Sequence, residues 1–435
     1  MCDTFVALSS VTLTGSVLLA KNADTEVNEA QHLLKIPGRD WPEGAQLRLT
    51  HRVIPQASRT HEVVLDKSFW LYGGEIGANE HGVAIGNEAV FSKAEFSSKA
   101  SQGDGVILID LLRLMLDRAT DRHEAVKIAA DLLHVYGQGG NCELRGNSHF
   151  DGSFIIADKT GALVLETAGS DWATREVTGF TSISNGYTIG DDWTACSIPG
   201  DSGQRLDFAA TVGDPGPSAA CGAPERRAAS YGYLERHKGA ISVRTMADIL
   251  RYTGDEDTYH PAQGERATRV CMHAGPYPSR FWQATGSLIS DVRGASIVVW
   301  ATGTSGPDCS IFKPVFFGVP MPDLGPMPRE SDTAGAYWWQ HEQLHRRVMA
   351  DYSAVITDLR PEIEALEAGF FSQAESVRDA DTATKAAFVA DCWREADALE
   401  SRWLAKLRKT PYRIDHAAYG SMWQQFNAAA ALELA

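Results

Sequence analysis

Cys2 stands directly after the initiating methionine in Met-Cys-Asp-Thr. A thiol is the strongest common side-chain nucleophile near neutral pH, and it acts as its thiolate. Methionine is normally trimmed before a small second residue. Trimming here leaves Cys2 with a free α-amine beside its own thiol. An α-amino group has an ordinary pKa of about 7.7–8.0, so it can accept the thiol proton from within the same residue. The chemistry this permits is attack on a carbonyl carbon through a thioester. That chemistry needs groups to hold the amine, favour the thiolate and stabilise an oxyanion.

Polar residues at strand ends are the candidates for those tasks. CDTFVAL (2–8) reads as a strand and SVLLAK (16–21) as its hairpin partner, with Asn22-Ala23-Asp24-Thr25 ending the hairpin. The hairpin returns Lys21 and Asp24 toward Cys2, where a cation favours thiolate and a carboxylate orients the amine. Asn87 follows GVAIG (82–86), and Asn185 follows FTSIS (180–184). Each amide can donate to an oxyanion, a contribution of roughly 3 kcal/mol to barrier lowering. Arg227 opens a predicted helix over 225–237 and can hold Cys2 or its neighbours through forked hydrogen bonds.

The elements around these residues form a pattern of strands, helices, strands, helices and strands. HEVVLDKSFWLY (61–72) alternates as a strand does, and glycines at 73, 74 and 77 punctuate the chain after it. Val106, Ile109, Leu112 and Leu116, then Val126, Ala129 and Leu133, recur at helical spacing, with a break capped near Asp121. SFIIAD (153–158), ALVLE (162–166) and WATREV (172–177) read as a meander. Residues 197–224, rich in Gly, Pro, Ser and Asp, read as a long exposed loop. A helix over 242–252 and a strand block over 285–303 come next. The order predicts α+β layers rather than regular βαβ alternation. Runs at 336–367 and 371–405 predict a C-terminal helical extension, giving a core over 2–330 and an extension over 331–435. The two histidines of WWQHEQLHRR (338–347) fit a packing helix better than a metal face.

Hydrophobic residues make up 44% and charged residues 22% of the 435-residue chain, an ordinary globular balance. A net charge of −16 argues against nucleic acid or an anionic membrane as partner. No apolar run is long enough for a membrane span. Asp3 comes early and no basic stretch precedes an apolar one, so a cytoplasmic location is expected. The seven cysteines are scattered with no CxxC, which disfavours a disulfide framework or a zinc site. No metal or cofactor is expected.

Eight segments occurring in order carry a family resemblance. They are CDTFVAL (2–8), LLAKNAD (18–24), GANEHGVAIGNEAVF (77–91), SFIIAD (153–158), ISN (183–185), ATGSLIS (284–290), TGTSGPDCSIFKPVF (302–316) and YWWQHEQLHR (337–346). With Cys2 directly after Met1, the chain resembles the C69 peptidases, the bacterial dipeptidases and secernins, within the N-terminal-nucleophile (Ntn) hydrolases related to bile salt hydrolase and penicillin V acylase. The resemblance implies a four-layer αββα core of two stacked antiparallel sheets between helical layers. It also implies hydrolysis of small peptides or other amides without a cofactor. Cys2 then matches the nucleophile, Asp24 the acid holding its amine, Asn185 the oxyanion-side asparagine and Arg227 the superfamily arginine, with Arg226 a competitor. Lys21 stands where bile salt hydrolases carry arginine, keeping the charge but losing the bidentate fork. Asn87 is the choice on the oxyanion strand, with Glu88 and Ala89 as alternatives. An acyltransferase and a non-catalytic secernin-like interaction protein are the competing readings, and a homo-oligomer is an open alternative. Pocket walls are expected from residues 25–60, 137–150 and 186–224, which hold Trp41, His51, His149 and Trp193.

Overall fold

The computed structural model describes residues 1–97, 105–200, 205–254, 259–263, 268–276 and 280–434. In chain order, the first strands are β1 (Cys2–Ala7), β2 (Val17–Glu26) and β3 (Gln31–Ile36). Two small hairpins come next, pairing β4 (Arg39–Asp40) with β7 (Arg59–Thr60) and β5 (Gln46–Arg48) with β6 (Val53–Pro55). The chain continues through β8 (Val63–Ser68), β9 (Ile76–Asn79), β10 (Ala84–Val90), and helices α1 (Ala94–Ser97), α2 (Leu108–Arg118) and α3 (Arg122–Tyr136). Strands β11 (Asp151–Asp158), β12 (Gly161–Ala168), β13 (Asp171–Glu176), β14 (Phe180–Ile183) and β15 (Ala195–Cys196) lead to α4 (Phe208–Val212), α5 (Pro215–Ala220), α6 (Ala223–Arg236) and α7 (Val243–Leu250). Strands β16 (Trp282–Arg293), β17 (Ser296–Ala301) and β18 (Lys313–Phe316) precede α8 (Tyr337–Ala350), α9 (Tyr352–Val377), α10 (Thr382–Leu407) and α11 (Ala417–Ala429).

Two antiparallel sheets stack face to face. One has the order β14-β1-β2-β16-β17-β18 and the other β15-β13-β12-β11-β10-β9-β8-β3. Alternation along the strands of the eight-stranded sheet sorts its side chains between two cores. Val64, Ala78, Ala84, Ile155, Ala157 and Val164 face the six-stranded sheet and join its core. Val63, Leu65, Ile85, Phe154, Ile156 and Leu163 face the other way and pack with α2 and α3. Helices α6 and α7 cover the outer face of the six-stranded sheet, completing four layers, αββα. A strand buried on both faces reads as a continuous apolar run, which is why SFIIAD and GVAIG carry no alternating polar positions.

The sheets approach closely where the site lies. A Cβ added at Gly86 would stand 2.7 Å from Cγ2 and 2.8 Å from Oγ1 of Thr4. Thr4 is β-branched and fully buried, so it has little freedom to yield. Gly86→Ala is therefore expected to cost about 1–3 kcal/mol of stability, read as a lower urea midpoint at unchanged slope.

The helices after residue 336 are not a separate layer of packing. Leu344, Val348, Phe370 and Trp393 share one core with Val298, Trp300 and Phe316 of the six-stranded sheet. A fully buried ion pair adds direction, with Arg251 NH1 and NH2 reaching Glu367 at 2.7 and 2.6 Å. The histidines of α8 are packing residues. His341 meets Glu400 at 3.1 Å and the Ser305 carbonyl at 2.9 Å, and His345 lies 3.3 Å from Glu342.

Of the loop expected over 197–224, residues 201–204 lie outside the described residues, and two short helices form after them. Asp207 caps α4 by accepting from the Ala210 amide, and Asp214 caps α5 ahead of Pro215. An acidic N-cap and a proline in the first turn are sufficient to start short helices in a Gly- and Pro-rich stretch. No described helix is long and apolar enough to cross a membrane.

Candidate active site

Cys2 opens β1, which lies between β14 and β2 in the six-stranded sheet, opposite Ala23 of β2. The hairpin brings Lys21 opposite Thr4 and Asp24 one residue beyond Ala23. Strand β2 does not stop at Lys21. It runs on to Glu26, paired on its other side with β16, and every residue from Val17 to Glu26 is buried. The run Lys21–Glu26 is thus buried strand rather than a turn, and its end, Asp24–Glu26, lines a cavity.

Hydrogen bonds fix the nucleophile's surroundings. The Asp24 N–H donates to Cys2 Sγ at 3.4 Å. The Cys2 N–H donates to Asn185 Oδ1 at 3.0 Å. Met1 is present, and its ammonium donates to the Asp24 carbonyl at 2.9 Å. Burial pushes the Cys2 thiol up to about 12, against the pull of Lys21 and the chain's N-terminal ammonium. Both carboxylate oxygens of Asp24 are buried without a partner, and burial lifts that carboxyl well above its ordinary range, opposed by the same ammonium.

Lys21 lies fully buried beneath the cavity floor. Its Nζ donates to the Glu75 carbonyl at 2.9 Å, to Glu75 Oε2 at 3.1 Å and to Asn87 Oδ1 at 3.0 Å. Burial works against its charge, but Cys2, Glu75 and Glu88 outweigh that and hold it above its ordinary value. Clamping Oδ1 leaves Asn87 Nδ2 buried and unpartnered on a side chain that lines the cavity. Glu88, next along β10, instead accepts from Thr4 Oγ1 at 2.5 Å, so alternation places Asn87 rather than Glu88 against the cavity.

Asn185 lies just beyond the end of β14, where its side chain is fully committed. Nδ2 donates to the Ala89 carbonyl at 2.9 Å, while Oδ1 accepts from Cys2 and from Arg226 NH2, the latter at 2.6 Å. Its oxygen thus holds the Cys2 nitrogen, and its amide nitrogen, expected from sequence on the oxyanion side, is occupied by the Ala89 carbonyl.

The arginine of the site is Arg226, not Arg227. Arg226 is fully buried; Nε reaches Asp3 Oδ2 at 2.8 Å and NH2 reaches Ser184 Oγ at 3.0 Å, while NH1 donates to the Cys221 carbonyl. Arg227 points a helical step away, with Nε on the Ser182 carbonyl at 2.9 Å. Adjacent helix residues are about 100° apart, so Arg226 reaches Asp3 of β1 while Arg227 is turned to the backbone of the edge strand β14.

Sequence reasoning missed Asp3, Glu75 and Ser184. A lone acid between Gly74 and the buried strand after it was the available signal for Glu75. Trp41, His51, His149 and Trp193 do not line the Cys2 cavity. They serve local packing: His51, for example, meets the Asn141 carbonyl at 2.7 Å, and the Trp193 indole N–H meets that of Leu206 at 2.9 Å.

The cavity in front of Cys2 measures about 280 Å³, and its walls include Asp24, Asn87, Phe150, Asn185 and Trp282. A larger hollow of about 670 Å³ lies beyond the 184–188 turn, walled by Tyr187, Pro215 and Arg227, and Cys2 does not line it. Among the described residues, two side-chain groups have ligand atoms close enough for a metal, Cys271–His273–Asp308 and His61–Glu80–His81. Neither lines the Cys2 cavity. In the first, Asp308 is already held by His273 at 2.9 Å and the Tyr352 hydroxyl at 2.6 Å.

Fold and site together define an αββα sandwich with a buried cysteine opening its first strand. No protein-family model matches the chain. Its chain path is similar to that of solved structures at low identity. One is the C2A mutant of conjugated bile acid hydrolase from Clostridium perfringens, at 13% identity and TM-score 0.44, covering 73% of this chain and 92% of that one. Another is penicillin V acylase from Agrobacterium tumefaciens, at 10% identity and TM-score 0.42, covering 73% and 86%. The Caenorhabditis elegans ortholog of N-acylethanolamine-hydrolyzing acid amidase is similar at 11% identity and TM-score 0.35, covering 66% and 92%.

Proposed function

We propose that the protein is a cysteine-dependent hydrolase of small peptide-like amides, with dipeptides as the first class to try, and that Cys2 acts after Met1 is removed. One observation carries this reading. Cys2 Sγ faces a cavity into which Asn87 presents an unpartnered amide nitrogen, its oxygen clamped by Lys21. A fixed donor beside a nucleophile is the requirement for stabilising a tetrahedral oxyanion. The motif resemblance to the dipeptidases and secernins supports the choice of dipeptides.

Removal of Met1 converts the Cys2 amide nitrogen into a primary amine, still next to Asn185 Oδ1. That amine takes the thiol proton, and the thiolate attacks the substrate carbonyl carbon. The carbonyl π electrons move to oxygen, where Asn87 Nδ2 donates. Collapse breaks the C–N bond, and the leaving amine takes the proton from the Cys2 ammonium. Water then attacks the thioester, giving its proton to the Cys2 amine, and the thiol leaves with that proton. Asp24, buried and unpartnered, offers an acceptor for the ammonium in each half-reaction.

A dipeptide panel assayed against a Cys2→Ala blank tests the reading, and no Cys2-dependent hydrolysis across the panel would defeat it. Asn87→Ala gives a finer test. Losing one oxyanion donor is expected to lower kcat by about 10²–10³ with little change in KM. An unchanged kcat would assign the oxyanion elsewhere.

A further inference from the structure

The proposed Cys2 mechanism gives a role to Asn87 of the segment GANEHGVAIGNEAVF (77–91) and none to Glu80 or His81. Those two residues lie in the turn between β9 and β10, and neither lines the Cys2 cavity.

The strand register brings this turn against His61. Strand β8 pairs antiparallel with β9, with Val63 opposite Asn79. Two residues further out, His61 therefore stands opposite His81, and directly opposed residues put their side chains on one face. The backbone around each is fastened. The His61 N–H donates to the Asp117 carbonyl at 2.9 Å, and the Glu80 N–H donates to the Glu62 carbonyl at 3.0 Å. Asn79 Oδ1 accepts from the His81 N–H at 3.0 Å and from the Val83 N–H at 3.1 Å. Asn79 Nδ2 donates to the Leu116 and Ala119 carbonyls at 2.9 and 2.7 Å, which pins the turn to the end of α2.

Three ligand atoms converge there. His81 Nε2 lies 3.1 Å from His61 Nδ1, with the rings edge to face at 80°. Glu80 Oε1 lies 3.8 Å from the same Nδ1, and all three atoms fall within 4.8 Å of one another. The Glu62 N–H donates to Glu80 Oε1 at 3.0 Å and so aims the carboxylate. Donors bound to one zinc ion at about 2.0–2.2 Å stand roughly 3–3.5 Å apart, so a small movement of the Glu80 side chain completes the set. Without an ion the three donors do not satisfy one another. The two ring nitrogens share one proton, and 3.8 Å is too long for a hydrogen bond from His61 to Glu80. Neighbouring charges are engaged elsewhere, Glu62 with Lys35 at 3.1 Å and Arg59 with Asp40 at 3.3 Å. Glu80 and His81 are exposed, so water reaches the outer side of the cluster.

We propose that His61 Nδ1, His81 Nε2 and Glu80 Oε1 form a binding site for a divalent transition-metal ion of the zinc class, with water at its remaining positions. Two imidazoles and a carboxylate suit zinc, cobalt or nickel, whereas calcium and magnesium take oxygen ligands. On binding, the imidazole that donates to the other moves its proton to its second ring nitrogen, and both lone pairs then face the metal. The ion clamps the chain entering β8 to the turn that leads into β10.

Cobalt(II) added to the metal-stripped protein tests this, because its absorption reports its ligands. One ion per chain is expected to bind without a thiolate-to-cobalt charge-transfer band and to raise the urea midpoint. His81→Ala is expected to weaken that binding about tenfold or more, since even the outer partners of a metal ligand account for about 10–100-fold. His81 is exposed, and an unchanged urea midpoint without metal verifies that the variant is folded. Glu80→Gln, which keeps the side-chain shape, is expected to weaken binding as well. No binding, binding that His81→Ala leaves unchanged, or a thiolate band on the bound ion overturns the proposal.

Discussion

Protein that carries any residue ahead of Cys2 is expected to be inactive, and the same protein cleaved to begin at Cys2 is expected to hydrolyse amides. With Met1 in place the Cys2 nitrogen is an amide, a donor to Asn185 Oδ1 and no base. The thiol beside it is pushed up to about 12 by burial and stays protonated at neutral pH. Lys21 pulls the other way, but it is spread over Glu75 and Asn87. A free α-amine changes this balance by supplying a proton acceptor of ordinary pKa about 7.7–8.0 within the same residue. The comparison is best made on one preparation. A cleavable extension ending just before Cys2 is assayed before and after cleavage, with intact mass recording the first residue. Cys2→Ala in the cleaved form is expected to lower the rate by about 10⁴-fold or more, as loss of a nucleophile does elsewhere. Equal rates before and after cleavage would rule out the α-amine as base.

The places where the sequence was easy to read and those where it was not have a common physical cause. The β1–β2 hairpin, the α2–α3 break at Asp121 and the β11–β13 meander follow from local pattern, and the structure has all of them. The extent of β2 does not. Lys21–Glu26 is polar but for Ala23, and polarity at the end of an apolar run signals a turn, yet this run is a buried strand whose last three residues line the site. Asn87 prolongs β10 past its apolar stretch as a cavity residue, with Glu88 after it buried against Thr4. Functional sites are where side-chain polarity departs from the pattern that positions the backbone. The choice between Arg226 and Arg227 was no more accessible. Ala223, Arg226, Ser230 and Leu234 are the buried residues of α6, spaced by three, four and four. Ala223 and Leu234 alone set a helical phase that lies nearer 227 than 226, so spacing did not point to Arg226; its contact with Asp3 did. Glu75 and Ser184 depend on contacts across 54 and 42 residues of chain, and no local pattern reports those.

Arg226→Ala is expected to cost about 3–5 kcal/mol of stability and most of the activity, whereas Arg227→Ala is expected to stay within about 1 kcal/mol. The difference comes from what each residue leaves behind. Arg226 and Asp3 form a pair in which both side chains are fully buried, so deleting the arginine strands a carboxylate away from water. It also frees Asn185 and Ser184, which hold the Cys2 nitrogen and carbonyl. Arg227 is partly exposed and loses one bond to a backbone carbonyl. Arg226→Lys keeps the charge but has no planar fork to span Asp3, Ser184 and Asn185 together, so it should recover stability more than activity. The pH dependence separates stranded charge from simple loss of packing. Burial already raises the Asp3 carboxyl, with Arg226 pulling it down, and removing Arg226 raises it further. A carboxyl raised in the folded state favours folding when protonated and loses that contribution as pH rises through its folded value. The gap between wild type and Arg226→Ala in urea unfolding should therefore be widest at neutral pH and narrow as pH falls and Asp3 takes up its proton. A gap that stays constant with pH would mean that the arginine acts by packing alone.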